Sequence, residues 1–469
     1  MAEQKIWAGR FAEATDPLME AFGNSLAFDQ RLFDADIAVN KAWARALVGV
    51  GVYTAAEAEQ VCAAFDAIHK DFHAGILTFP LGAEDIHSAN EKWLTERLGE
   101  LGGRIHTGRS RNDQVITDLK IYLRGQSREL QASLRRLQQA LLERAEEHIE
   151  TIFPGQTHLQ QAQPVSFAHY LLSFFFQMQR NSERLVEWRK RMNTLPLGSG
   201  AVAGSAFPVD RGKLAEELGF DRPSENSIDA TSDRDFVLEF EYLCAQIMVH
   251  LSRLAEDLII WSCEAFRYVR VAEAYATGSS MMPQKRNPDS LELIRGKTAR
   301  VIGNLMQGMT LLKGAPTAYV RDLQEDKPAV FDSLDQTTTC LELAARVIRT
   351  LEIDKQVMLR AIDAALYATD VADYLVRKGL PFREAHAVVG RLVREAETRS
   401  CPLNSLPLEL YQALSPLFEE DIFDLFDPAA SVNRRNLPGG TGFDAVRKQL
   451  ETAKSLLLSE SGLEEVLVQ

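Results

Sequence analysis

Four stretches of this chain contain neither glycine nor proline: 126–153, 165–195, 224–277 and 330–378. Those two residues are the ones that most readily end a helix. Runs this long predict helices far above the average of about 11 residues. In the first, Leu130, Leu134, Leu137, Leu141 and Ile149 recur at helical spacing. The stretch 236–260 is apolar on all sides, which predicts burial on more than one face. The chain therefore reads as all-α: three domains in an elongated chain, with a long central helical bundle that also packs against other subunits. Residues 1–110 read as a mainly helical N-terminal domain and 111–359 as the long-helix domain. Residues 360–469 read as a small helical domain, richer in proline and carrying Gly439-Gly440.

Shorter signals place the N-terminal helices. Asp34–Val48 has helical periodicity. Thr54 followed by Glu57 is a capping box. Asn24-Ser25 precedes a segment starting near Asp29, and Glu84–Glu91 opens a further helix, with His87 read as a helix-surface histidine. Trp7–Phe11 reads as an early loop.

A net charge of -14 excludes nucleic acid as a partner unless a local basic patch exists, and an acidic chain that handles an anion must gather its cations locally. Cys62, Cys244, Cys263, Cys340 and Cys401 are scattered without a C-x-x-C pair, which points to reduced thiols and a cytoplasmic location. No apolar run opens the chain and none reaches the ~20 residues of a membrane span, so neither a signal peptide nor a membrane partner is expected.

Against this background, cations concentrate in few places. Gly278 breaks the helical pattern, and Ser279, Ser280, Lys285 and Arg286 follow before Asn287-Pro288-Asp289 begins another helix. This reads as a loop between two helices, suited to closing over an anion. Arg109-Ser110-Arg111-Asn112 stands at a helix start, where arginine opposes the helix dipole; carboxylate binding explains it better than decoration. Pro154–Pro164 interrupts two helices with a turn in which Thr157, Gln160 and Gln163 surround His158. Gly198–Ser205 is a small-residue loop without the lysine of a phosphate cradle. Thr317–Pro328 is dense in charge and reads as a solvated connector on composition alone. No His/Cys/Asp group has metal-ligand spacing and no dinucleotide fingerprint follows a strand, so neither metal nor cofactor is expected.

The string Gly278–Asp289 resembles the G-S-S-x-M-P-x-K-x-N-P signature of the fumarase/aspartase superfamily of lyases. Together with 106–114, 155–164 and 319–328, and with Trp7–Phe11, Asn24–Asp29 and Glu84–Glu91, it resembles the argininosuccinate lyase family within it, from the N-terminus to at least Gly442. Gln156 stands where that family usually has Tyr, and Arg286 where Lys is common; both flank the matched positions. The resemblance implies reversible β-elimination of argininosuccinate to arginine and fumarate by a carbon–nitrogen lyase of arginine biosynthesis. It implies His158 and Ser279 as the acid/base pair, Glu292 orienting His158, and Lys285 neutralising carboxylate charge. Ser25, Arg111, Asn112, Thr157, Asn287, Tyr319, Gln324 and Lys327 are implied in substrate binding. It further implies a homotetramer built as a helix bundle, with each active site drawn from three subunits. Two alternatives stay open. One is another fumarate-releasing lyase acting on adenylosuccinate or an aspartate-like acid. The other is a crystallin-like structural protein, against which the intact His158, Ser279, Lys285 and Lys327 argue. Residue types alone leave the roles of His158 and Ser279 undivided; the reading leans to Ser279 as base.

Overall fold

The computed structural model describes residues 13–467, with side chains described as far as residue 459. The Trp7–Phe11 loop lies outside the described residues. The chain is all-α, as its long runs predict. Five helices dominate: Arg111–Glu147, Phe167–Met192, Asp235–Ser262, Asp289–Lys313 and Asp326–Thr350. The leucine stripe of the first is core, since Leu130, Leu134, Leu137 and Leu141 are all fully buried. That helix starts earlier than its breaker-free run, at Arg111, and passes through Gly125. A single interior glycine costs only about 1 kcal/mol, which burial of the leucines outweighs. Its start is capped reciprocally: Asn112 N donates to Ser110 Oγ (3.2 Å) and Ser110 N to Asp113 Oδ1 (2.9 Å).

Two of the runs are not single helices. Asp235–Ser262 stops without glycine or proline, and Arg267 takes a left-handed φ of 53°. Asp326–Thr350 stops at Leu351. Both ends are set by pairing of distant segments: Val269 and Arg270 lie antiparallel to Ile353 and Glu352. Asp354 then caps Lys355–Arg360, and Ala368–Arg377 follows a further short turn. Backbone pairing at long range carries no local sequence signal.

The described residues pack into two compact units, each assembled from three segments. The first takes residues up to 131, 183–246 and 299–337; the second takes 132–182, 247–298 and 338 onward. In the first, Phe33–Ala46, Ala55–His73 and Ile86–Leu98 pack around Trp43, Phe65 and Leu94. Thr54 and Glu57 form the expected capping box. In the second, residues 371–425 hold their own core of Val371, Leu375, Leu392, Tyr411 and Phe418.

The segment 154–164, expected as a turn, is a β-hairpin: Ile152–Thr157 pairs antiparallel with Gln160–Ser166, with a bulge between Gly155 and Gln156. Phe153 anchors it against Phe167 and Trp261 (ring centroids 5.5 and 5.2 Å), and Ser166 N donates to Thr441 Oγ1 at 2.8 Å. The segment 278–289 is likewise not a plain interhelical loop. Thr277-Gly278 pairs with Arg286-Asn287, closing residues 279–285 into a strap, and the helix behind it starts at Asp289.

Candidate active site

His158 occupies the tip of the first hairpin. Thr157 pairs with Gln160, leaving a two-residue turn in which His158 and Leu159 take left-handed φ values of 57° and 59°, the φ signature of a type I′ turn. Asn and Gly usually fill such positions; a leucine there is strained, at roughly 1–2 kcal/mol. Strained backbone concentrates at functional sites. The turn holds Thr157 and His158 outward: both are exposed, and His158 has no hydrogen bond or ion pair among the described residues.

Ser279 opens the strap. Its Oγ accepts from Met281 N (3.3 Å) and Met282 N (3.1 Å). Two amide donors aimed at one hydroxyl oxygen favour negative charge on it. The strap is closed by Lys285 N donating to Met282 O (3.0 Å), and its base is clamped by a Thr277–Asp289 hydrogen bond. Arg286 reaches back to the Val271 carbonyl, so this departure from the family pattern anchors the strap. Lys285, Asn287 and Glu292 line one cavity of about 1310 Å³ together with Arg267, Arg270 and Lys355. The expected bond from Glu292 to His158 is not made within the chain.

A second group gathers in the first unit. Ser25 is buried; its N donates to Glu84 O at 2.9 Å and its Oγ to Asp29. Lys327, also buried, places Nζ 4.0 Å from Asp29 Oδ1 and 3.5 Å from Asp326 Oδ1. Burial raises the Asp29 carboxyl above its ordinary range, against the opposing pull of Lys327. Asp326 is itself paired with buried Arg234. Gln324 Nε2 donates to Gly23 O at 3.5 Å, and burial pushes the Tyr319 phenol up. Thr317–Pro328 is thus no solvated connector: Leu323, Asp326 and Lys327 are buried. Arg111 is held by Asp85 and Glu91 (both 3.3 Å) and by Gln114 (2.8 Å). Asn112 donates to Ala201 O at 3.5 Å.

Behind Arg111 lies a buried polar network that the sequence reading missed. His87 is fully buried, not on the helix surface, and its Nδ1 lies 2.9 Å from Asp36 and 3.1 Å from Asp118. Burial opposes the imidazolium, but the neighbouring carboxylates outweigh it and lift His87 to about 10. Asp118 is driven well up by burial beside charged Asp36. Asn90 and Gln114 also donate to Asp36, and Arg109 donates to Asn40. No local pattern announces the network, because its members come from three separate helices and, at Arg109, the loop before the third. The small-residue loop after Leu197 has a related task. Gly198 N and Gly200 N donate to Asp113 Oδ2 (3.0 and 2.7 Å), so it cradles a carboxylate of this chain.

The long-helix fold is that of lyases of the fumarase/aspartase type. Residues 9–303 match the family described as "Lyase", and residues 365–433 match "Argininosuccinate lyase C-terminal". Argininosuccinate lyase of Moorella thermoacetica is 50% identical over 97% of this chain and 98% of its own length; that of Geobacillus sp. (strain WCH70) is 48% identical over 97% and 99%. The chain belongs to the argininosuccinate lyase family. Among solved structures it is similar to an EDDS lyase in complex with formate (TM-score 0.84, 27% identity, 96% of this chain and 92% of that one). It shares its fold with the class II fumarase of Schistosoma mansoni (TM-score 0.72, 17% identity, covering 85% and 90%).

Proposed function

We propose that this protein cleaves argininosuccinate to arginine and fumarate, and that the observation carrying this is the full-length match to argininosuccinate lyases together with the pair of amides on Ser279 Oγ. In the reaction a base removes the proton beside a carboxylate. The carbanion spreads into that carboxylate, and the C–N bond breaks as the leaving nitrogen takes up a proton. Serine is a poor base unless its alkoxide is stabilised; the Met281 and Met282 N–H groups and the Lys285 cation in the same strap supply that stabilisation. We therefore take Ser279 as base and His158 as acid, imidazole being the side chain most often used to transfer a proton. Lys285 and Arg111 neutralise carboxylates, Asn287 holds the strap, and Ser25, Asn112, Thr157, Tyr319, Gln324 and Lys327 bind substrate.

Because His158 finds no partner among the described residues, we place the active site between copies, three contributing to each, with Glu292 of one orienting the histidine of another. Exposed Leu293, Ile302, Met306 and Met309 on Asp289–Lys313 support assembly into a homotetrameric bundle. We keep the three-domain division at 110 and 359; the separate core of residues 371–425 supports its last member. No described helix is long and apolar enough to cross a membrane, and a cytoplasmic location is proposed on the scattered free cysteines.

The test is fumarate absorbance after addition of argininosuccinate, with adenylosuccinate and aspartate as comparison substrates. Release from adenylosuccinate or aspartate alone moves the protein elsewhere in the superfamily; release from none favours the crystallin-like alternative. His158→Asn and Ser279→Ala should each lower turnover roughly 100-fold or more with the oligomer intact. Solvent deuterium exchange into unreacted substrate separates the roles. It should survive in His158→Asn and vanish in Ser279→Ala; the reverse pattern makes His158 the base.

A further inference from the structure

Away from the site described above, three metal-ligating side chains of the first unit converge on its surface. His69 and His73 stand one turn apart on Ala55–His73, and Asp34 faces them from Phe33–Ala46. His69 Nε2 lies 3.1 Å and His73 Nε2 2.7 Å from the same oxygen, Asp34 Oδ1. Ligand atoms of all three fall within 4.8 Å of one another. Ligands bound at the usual 2.0–2.2 Å around an octahedral or tetrahedral cation stand about 2.8–3.6 Å apart, so the two histidine–Asp34 separations already lie close to those of a shared cation.

The rings are also held in place. Phe33 stacks on His69 (5.9 Å, 16° between planes) and meets His73 edge-on (5.8 Å, 74°), and Phe72 also meets His73 edge-on (5.7 Å, 85°). A bare surface ion pair does not need two histidines directed at one oxygen with both rings packed by aromatics. Fixed ring orientation lowers the entropy lost on chelation.

We propose that Asp34, His69 and His73 form a binding site for a divalent transition cation of the Zn²⁺ or Co²⁺ class, with water completing the shell. Two imidazoles and one carboxylate suit such cations, whereas Mg²⁺ and Ca²⁺ prefer all-oxygen shells. The bound cation adds a second link between two helices that already meet through side-chain packing and the Lys41–Asp66 ion pair. It clamps the outer face of Phe33–Ala46, whose buried face carries Asp36 and Asn40 of the network behind Arg111. Its role is structural; it takes no part in the elimination.

The test uses the full-length protein after chelator treatment and gel filtration, with Cys263→Ser to remove the exposed thiol as a competing ligand. Zn²⁺ is titrated calorimetrically, Co²⁺ by its visible absorption, and melting is followed with and without Zn²⁺. One Zn²⁺ per chain, a higher melting temperature with it, and at least tenfold weaker binding in both His73→Ala and Asp34→Asn are expected. The metal-free variants should keep parental helix content and lyase turnover. His73→Gln replaces His73→Ala if the latter does not fold. Zn²⁺ affinity unchanged in the variants, no binding by the parent, or Mg²⁺ binding as tight as Zn²⁺ would overturn the proposal and leave an exposed ion pair only.

Discussion

His158 and Leu159 show how one residue's backbone can place the side chain proposed as the acid. A left-handed conformation at both positions projects the imidazole from the hairpin tip, and Leu159 bears the strain while remaining 67% exposed. Asparagine tolerates that φ; a β-branched residue does not. Leu159→Asn should therefore keep parental kcat and raise the melting temperature slightly, whereas Leu159→Ile should lower kcat by roughly tenfold, because a misplaced acid forfeits much of its contribution. Steady-state kinetics beside thermal melts will check this; equal kcat in both variants would show that turn conformation does not position His158. The residue types around this turn are visible in the sequence, and so is His158 as a candidate. The strain is not, since nothing about His-Leu announces a type I′ turn.

At the scale of the element, the hairpin and the strap are both short β pairs set among helices, and both carry groups assigned to the chemistry. Gly155 sits at the bulge of the hairpin, where an added Cβ would meet Gln163 O at 3.0 Å and the Val165 methyls at 3.1 Å. Gly155→Val should disturb the register that aims His158 and reduce kcat more than KM changes. Unchanged kcat in a folded Gly155→Val protein would mean that the hairpin's register does not govern the histidine. These elements were hard to read locally. Proline and glycine in 154–164 signalled a turn correctly, but the pairing of Phe153 with Val165 and its burial against Trp261 are tertiary events. The helix ends at Ser262 and Thr350 follow the same logic, being fixed by the pairing of Val269 with Ile353.

For the whole molecule, the buried His87 network links stability to pH. Its folded-state value, about 10, lies above the 6.5 of an unfolded histidine. The stabilisation is therefore complete below about pH 6.5 and is lost as pH rises through 10, with a slope of at most about 1.4 kcal/mol per pH unit. His87→Gln should be less stable at neutral pH and should flatten the decline between pH 7 and 10 in urea-unfolding profiles. A slope equal to that of the parent would assign the alkaline loss to other groups. Assembly yields a second expectation. If His158 and Ser279 in one site come from different copies, co-refolded His158→Asn and Ser279→Ala chains should regain about a quarter of parental turnover, the share of sites free of both changes in a randomly mixed tetramer. Recovery no greater than that of the separate variants, despite proven mixing, would place both groups on one copy.

What the amino-acid sequence determined by itself was the local and the chemical: helices that follow from long runs without breakers, the Thr54–Glu57 cap, the leucine stripe of Arg111–Glu147, and the strings around His158, Ser279 and Lys327. Each of these depends on neighbours within a few residues or on residue identity alone. The tertiary structure decided the rest. It buried His87 between carboxylates, turned Gly198 and Gly200 into a cradle for Asp113, and set Asp29 between Ser25 and Lys327. Each of those depends on the desolvation and mutual charge of groups brought together from distant parts of the chain, which no sequence window contains.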